Sequence, residues 1–403
     1  MSTLVRDLYR SLVDERARDA VWAVRTRGDL SVLSHVVRGV LGVPRVVSST
    51  RDHLEATVAW LCAAQDATGV GGVSAFYDVR AGVWGPPYPE TTGYIIPTFF
   101  DLERGSGVRS YGVRAARMAE WLLGTQLECG AFPTGPLWPD WDRRPVVFDT
   151  GQVIHGLIRV FEQTRDARYL EAAVRAGDWL CAIQDPDGSW RRHTSSGGVH
   201  TYNVRTAWAL LRLSQATDGA QYRRVATRNL EWALAQQCAD GWFAHMEFRA
   251  GEDPLTHTIA YTIEGLLESG ILLSESGLIA SARLAADALI ERQAEETYLG
   301  ARYGRQWRRS AAWSCLTGNA QMAVIWFRLY ELTGRKDYLS GALSANRHVK
   351  QHHVRRSRIA GLAGGVAGSG PIYGGYEPYR NLNWAAKFFT DSLLLEERLL
   401  PRS

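Results

Sequence analysis

The sequence predicts an all-α protein: a single (α/α)6 toroid, a barrel of six helical hairpins, with an N-terminal helical extension. Three observations carry this expectation. Residues 148–190 read as one antiparallel helical hairpin, its anchor residues recur in step along the chain, and the recurring helices number six of each kind. In the hairpin, Val153, Ile154, Leu157, Ile158 and Phe161 keep the i, i+3, i+4 spacing of a helix that buries one face. After a break at Thr164-Arg165-Asp166, Leu170, Ala173, Val174, Gly177, Leu180 and Cys181 mark one face of a second helix. Asp185-Pro186-Asp187-Gly188 ends it, because proline and glycine do not continue a helix.

Taken in order, residues 1–47 alternate charges without the apolar run of a signal peptide and read as one or two helices leading into the repeats, with Arg38 and Arg45 on a solvated face. The toroid domain is expected over 48–403. From Asp52 the second-helix pattern returns in ATVAWLCAAQDATG, RMAEWLLGTQLECG, RAGDWLCAIQDPDG and RNLEWALAQQCADG, and more weakly in LAADALIERQAEET. Trp60 and Gln65, Trp121 and Gln126, Trp179 and Gln184, and Trp232 and Gln237 share one spacing, which Ala288 and Gln293 keep without the tryptophan. First helices begin near Thr92, Asp149, Tyr202, His257, Leu316 and Asn383. Six second helices are reached by counting Asn346 to His353. Because a second helix appears first, the last first helix is free to pair with it and close a ring. First helices, with small residues such as Gly93, Gly151 and Gly265, are expected inside, and the tryptophan-bearing helices outside. An open solenoid is the competing architecture.

The bulk numbers fit a soluble globular chain: 403 residues, 46% hydrophobic and 22% charged. A net charge of +4 makes no whole-protein case for nucleic acid. No apolar run of about 18 residues suits a membrane span. Five cysteines, Cys62, Cys129, Cys181, Cys238 and Cys315, are odd in number and form no CxxC pair, which points to reduced thiols and a cytoplasmic setting. No metal-ligand spacing occurs, His352-His353 being adjacent, and no cofactor is expected.

RAGDWLCAIQDPDGSW resembles the QW repeat of squalene-hopene cyclases and prenyltransferases, with Gln184, Gly188 and Trp190 in the motif positions and Gln237, Gly241 and Trp242 as a shorter version. That resemblance implies the toroid architecture. The acidic run by which such cyclases protonate substrate is missing, Asp140-Trp141-Asp142-Arg143 lacking the last carboxylate. The same stretch resembles the unsaturated glucuronyl hydrolases, through Asp149 at the mouth of a first helix followed by Tyr169, Leu170, Ala172 and Ala173. This resemblance implies that Asp149 acts as acid and base. PETTGYIIPT, CLTGNAQMA and NWAAKFFTD resemble stretches of toroid proteins of bacterial polysaccharide synthesis, which implies a polysaccharide biosynthesis complex as the setting.

In a toroid the starts of the inner helices converge on one funnel. The polar residues there are Glu90, Tyr94, Asp149, Gln152, Tyr202, Asn203, Arg205, His257, Tyr261, Glu264, Asn319, Gln321, Asn383 and Lys387. Burying so many without partners costs about 1–3 kcal/mol each, so a wet pocket is the economical account. Asp149 is the first choice for acid or base, against a simple helix-start role. Glu90 is the second carboxylate, against a first-turn acid. His257 and Tyr261, i and i+4, form a proton-transfer pair, against a satisfied core histidine. Cys315 reads as an inert buried thiol. Arg205 and Arg302 are expected to neutralise a substrate carboxylate, and Arg305 lies beside Arg302 in the aromatic-rich YLGARYGRQW. The glycine-rich stretches 69–82 and 361–375 are expected to form a rim or lid. The expected function is an enzyme acting on an oligosaccharide or polysaccharide that contains uronic acid or another anion, by hydrolysis, elimination or C5 epimerisation. A terpenoid cyclase and a non-catalytic saccharide-binding protein are the alternatives.

Overall fold

The computed structural model describes residues 34, 38, 39, 42–140 and 142–400. Most of the expected 1–47 extension lies outside these residues, and 43–49 has no regular secondary structure and leads into the first long helix. Twelve long helices follow among the described residues: α1 (Thr50–Asp66), α2 (Pro89–Ser106), α3 (Ser110–Leu123), α4 (Val147–Thr164), α5 (Ala167–Ala182), α6 (Val204–Thr217), α7 (Ala220–Leu234), α8 (Thr256–Leu273), α9 (Ser276–Glu296), α10 (Leu316–Thr333), α11 (Lys336–His352) and α12 (Asn383–Leu399). None is long and apolar enough to cross a membrane.

The even-numbered helices pack side by side as an inner ring, with α12 against both α10 and α2. Each inner helix pairs with an outer one, and α12 pairs with α1, which closes the ring. The chain is therefore a closed (α/α)6 toroid and not an open solenoid. Inner helices are apolar around most of their circumference because they are covered on every side; in α4 only the last turns reach solvent. The inner ring is tight where glycines face each other. A Cβ on Gly93 of α2 would sit 2.6 Å from Val153 Cα, and one on Gly156 of α4 2.3 Å from the Gly93 carbonyl oxygen. Side chains there would push the two helices apart.

The tryptophan and glutamine helices are outer helices, and the glutamine has a mechanical role. Gln184 Nε2 donates to Gly188 O at 3.0 Å in its own turn and to Val225 O at 2.8 Å in the next outer helix. Gln126 does the same to Gly130 O and Ala172 O, both at 2.8 Å, and Gln65 and Gln237 repeat the pattern. Gly188 has φ +90°, and a Cβ there would lie 2.4 Å from Arg228 O, so the turn needs glycine in order to approach the neighbouring helix. The fifth repeat departs from this pattern. Helix α9 runs on past Gln293, no turn follows, and Gln293 Nε2 finds no partner. Replacing Gln184 by Ala is expected to cost about 1–2 kcal/mol, because two bonded carbonyls lose their donor. Chemical denaturation checks this, and a loss below about 0.5 kcal/mol would make the latch decorative.

Two expected boundaries shift. The sixth outer helix starts at Lys336, ten residues before the expected Asn346, because Tyr338, Gly341, Ala342 and Ala345 continue its buried face. The third inner helix starts at Val204, with Tyr202 in a short 3-10 turn, Thr201–Asn203, ahead of it. The two glycine-rich stretches meet each other at the mouth. Strand β1 (Phe76–Asp78) lies between β2 (Val83–Trp84) and the late strand Arg380–Leu382, pairing Tyr77 with Asn381. This small sheet ties the first repeat to the last on the rim.

Candidate functional site

The first turns of α2, α4, α8 and α12, with the short turn ahead of α6, border a cavity of about 630 Å3 at the rim end of the barrel. Its walls are aromatic: Phe76, Tyr88, Tyr94, Phe148, Tyr202, Phe248, Tyr261, Tyr376 and Trp384. Its polar groups are Glu90, Asp149 and His257 inside, with Arg249, Glu252, Arg302, Glu377 and Arg380 among the remaining lining residues.

Glu90 and Asp149 stand in the first turns of neighbouring inner helices, α2 and α4, which brings two carboxyl groups to one wall. Both are buried, at 8% and 2% exposure. The helix has no side-chain cap at Val146, and Asp149 is the acidic residue of its first turn. Its Oδ1 accepts from Tyr88 Oη at 3.2 Å and from the Gly135 N–H at 3.4 Å. Burial pushes the Asp149 carboxyl up to about 7, against the pull of its hydrogen bonds from Thr134, Gly135 and Tyr88. Burial and the neighbouring Asp149 charge push Glu90 well above the usual carboxylate range. Two such groups hold on to a proton near neutral pH and titrate as a pair.

His257, in the first turn of α8, places Nδ1 2.7 Å from Gln321 Oε1 of α10. With the amide oxygen facing the ring, Nδ1 carries the proton and Nε2 is left as an acceptor. Burial lowers this histidine to about 4, so it is neutral at pH 7. Tyr261 lies against it, ring centroids 4.4 Å apart. Burial and Glu90 push the Tyr261 phenol well above 10, so it stays protonated. The hydroxyls of Tyr94 and Tyr202, at 2% and 1% exposure, have no well-formed hydrogen bond although both residues line the cavity.

Other expected site residues lie elsewhere. Arg205 is 2% exposed and does not line the cavity. It forms an ion pair with Glu264, donates from Nε to Gln152 Oε1 at 3.0 Å, and sits 5.0 Å from the Tyr261 ring centroid. Gln152, Arg205 and Glu264 are thus one buried polar chain behind the wall. Lys387 pairs with Asp391 at 2.7 Å in the same layer. Asn319 donates to the Leu299 and Cys315 carbonyls, and Asn383 to Ser74 O and Thr91 Oγ1, so both fasten loops to inner helices. Asn203 is buried outside the lining, and Arg305 is exposed outside it. Arg302 lines the cavity but is engaged by Glu252 at 3.1 Å and by the Asp253 carbonyl. Cys315 is fully buried with its thiol pushed up to about 12 by burial, which suits an unreactive side chain. Among the described residues no three His, Cys, Asp or Glu side chains are grouped to hold a metal ion.

Sequence reasoning missed Tyr88, Trp138, Phe148, Phe248, Arg249, Tyr376, Arg380 and Trp384. Most sit on loops or one residue outside the helix starts. The available signal was the aromatic density just ahead of each inner helix. Tyr376 shows how the late glycine-rich stretch contributes: its ring lies 5.6 Å from His257, and its hydroxyl accepts from Trp384 Nε1 at 3.1 Å.

Compared with known proteins, residues 107–266 match the sequence model of the squalene-hopene cyclase C-terminal domain. A search of curated protein sequences finds no match. Among solved structures, the chain is similar to an unsaturated glucuronyl hydrolase from Bacillus sp. GL1 (TM-score 0.65, 15% identity, 87% of this chain and 97% of that one). It is also similar to cellobiose 2-epimerase from Bacillus thermoamylovorans (TM-score 0.68, 12% identity, 85% and 97%) and to a sugar epimerase from a ruminal bacterium (TM-score 0.69, 11% identity, 86% and 98%). At these identities the likeness is one of fold. Closed ring, paired helices and these neighbours together give the chain the α/α toroid fold.

Proposed function

We propose that this chain is a carbohydrate-active enzyme that cleaves an oligosaccharide or polysaccharide containing uronic acid or another anion, by acid/base hydrolysis in the funnel. One observation carries the reading: Glu90 and Asp149, buried on adjacent inner helices, have raised proton affinities, and the Arg205 guanidinium whose charge reaches Glu90 is itself held by Glu264. Such a pair holds one proton to donate and one carboxylate to accept. The protonated carboxyl gives its proton to the glycosidic oxygen as the bond from the anomeric carbon breaks. The partner carboxylate takes a proton from the water that adds at that carbon, so one bond and one water become two hydroxyls. His257 Nε2 is placed to hydrogen-bond a sugar hydroxyl, and the aromatic walls offer ring faces. Elimination and epimerisation need a base for a carbon-bound proton. Tyr261 stays protonated and His257 is a weak base, so neither favours those routes.

The saccharide-acting neighbours support the substrate class. The motifs PETTGYIIPT, CLTGNAQMA and NWAAKFFTD motivate placing the enzyme with bacterial polysaccharide synthesis in the cytoplasm. The cyclase domain match favours a second reading, a terpenoid cyclase. Against it, the glutamine and tryptophan repeats have a mechanical role between outer helices, and Asp142 lies exposed, paired with Arg144.

Proton NMR in heavy water with a panel of uronate-containing oligosaccharides tests the proposal. New reducing-end signals are expected. A new vinyl proton, loss of the C5 proton without cleavage, or binding without chemical change would each overturn hydrolysis, in favour of elimination, epimerisation or a binding protein respectively. Turnover of prenyl diphosphates would favour the cyclase reading.

A further inference from the structure

The charged groups of the funnel are not evenly placed. Glu90 and Asp149 face the interior, and the Arg205 guanidinium, whose charge reaches Glu90, is already held by Glu264. Three other arginines line the cavity. Arg302 is paired with Glu252 at 3.1 Å, and Arg380 with Glu377 at 2.7 Å, both acids also lining it. Arg249 is exposed and, among the described residues, has no carboxylate within ion-pairing distance. It is the one uncompensated positive charge of the lining. A second feature shares the cavity. Trp138 is 48% exposed, and among the described residues it is the one aromatic in the set of exposed large hydrophobic side chains. An indole left half in water at the edge of a cavity has a free face of the kind that stacks on a sugar ring.

Resting on the saccharide reading above, we propose that the funnel takes at least two sugar rings and sorts them by charge. An uncharged ring enters to the carboxyl pair, and a ring bearing the anionic group stays outside it, stacked on Trp138 with its charge on Arg249. An anion beside Glu90 and Asp149 would meet carboxyl groups with no free cation to offset the repulsion. At Arg249 the same anion gains a charge-assisted hydrogen bond and displaces only solvent. The specificity for anionic substrates therefore resides in Arg249, and Arg205 has a structural part.

Ligand-observed NMR titration of the full chain tests this with four probes: glucose, glucuronic acid, cellobiose and glucuronosyl-β-1,4-glucose. Glucuronic acid is expected to bind no more tightly than glucose, whereas the uronate disaccharide binds about fivefold more tightly than cellobiose. Arg249→Gln should remove that fivefold preference and leave cellobiose within about twofold. Trp138→Ala should weaken both disaccharides about tenfold without affecting glucose. Both positions are exposed, so the variants should fold. A preference that survives Arg249→Gln, glucuronic acid binding more tightly than glucose, or a Trp138→Ala loss shared equally by all four probes would overturn the proposal while the saccharide reading stands. Absence of binding by all four would overturn both.

Discussion

Asp149→Asn is expected to abolish turnover, by about a thousandfold or more, while leaving the fold as stable as before or more so. The loss follows from the role of the pair. Asparagine can neither give nor take the proton that glycosidic cleavage needs, and a positioned acid or base contributes about 10²–10⁴ in rate. The stability effect follows from the sign of the proton-affinity shift. A carboxyl that titrates at about 7 in the folded chain and near 3.8 unfolded binds its proton more tightly when folded. Its contribution is therefore most favourable below about pH 4 and is lost as pH rises towards 7. At pH 8 the native state carries a buried charge that asparagine removes. Melting of the Asn variant should match the parent at pH 4 and exceed it by about 2 °C or more at pH 8. The pH profile is the companion measurement. The kcat/KM of the parent should rise as pH rises through about 7, where Asp149 becomes the carboxylate, and fall at higher pH, where Glu90, held up by burial and the Asp149 charge, loses the remaining proton. An active Asn variant, or one that melts lower at pH 8, would remove Asp149 from this role.

Glu264→Ala is expected to be among the most damaging single changes to the fold, at about 3–5 kcal/mol, because it strands the Arg205 guanidinium at 2% exposure without its counter-ion. Gln152 would remain as a neutral acceptor, too weak to stand in for a carboxylate. The Arg205 guanidinium lies against the Tyr261 and Phe388 rings, so its relaxation would also disturb the funnel wall. Thermal melting should drop by roughly 5 °C or more. A double variant, Arg205→Met with Glu264→Leu, should recover most of the loss, since apolar side chains of similar volume replace a buried ion pair at little cost. A Glu264→Ala loss below about 1 kcal/mol would show that the pair is solvated in the native state.

The repeating architecture was legible because each hairpin advertises itself locally. Apolar spacing marks the buried faces, and the Trp and Gln positions recur in step. What the glutamines do was not legible. Gln65, Gln126, Gln184 and Gln237 each bridge their own turn to a helix some forty residues or more away, and no local pattern shows where that helix lies. The start of α11 was misplaced because its first turns are rich in charged and small residues, Lys336, Asp337, Ser340 and Gly341, whose burial depends on neighbouring helices. Glu90 and Asp149 could be picked out because helix starts in a toroid share one end, a constraint that topology imposes on sequence position.

The sequence alone determined the helices, their inner and outer assignment, the closure of the ring by its offset first helix and the end of the barrel that holds polar residues. These follow from periodicity and order along the chain, which are local or countable properties. Tertiary structure alone decided which of those polar residues face the cavity. Arg205 and Arg302 looked equivalent as cations near helix starts. One is buried against Glu264, the other is engaged by Glu252 on the lining, and the arginine left without a partner is Arg249, on a loop that no periodic signal covers. Charge compensation depends on which side chains meet across the ring, and those meetings are set by the packing of helices remote in sequence.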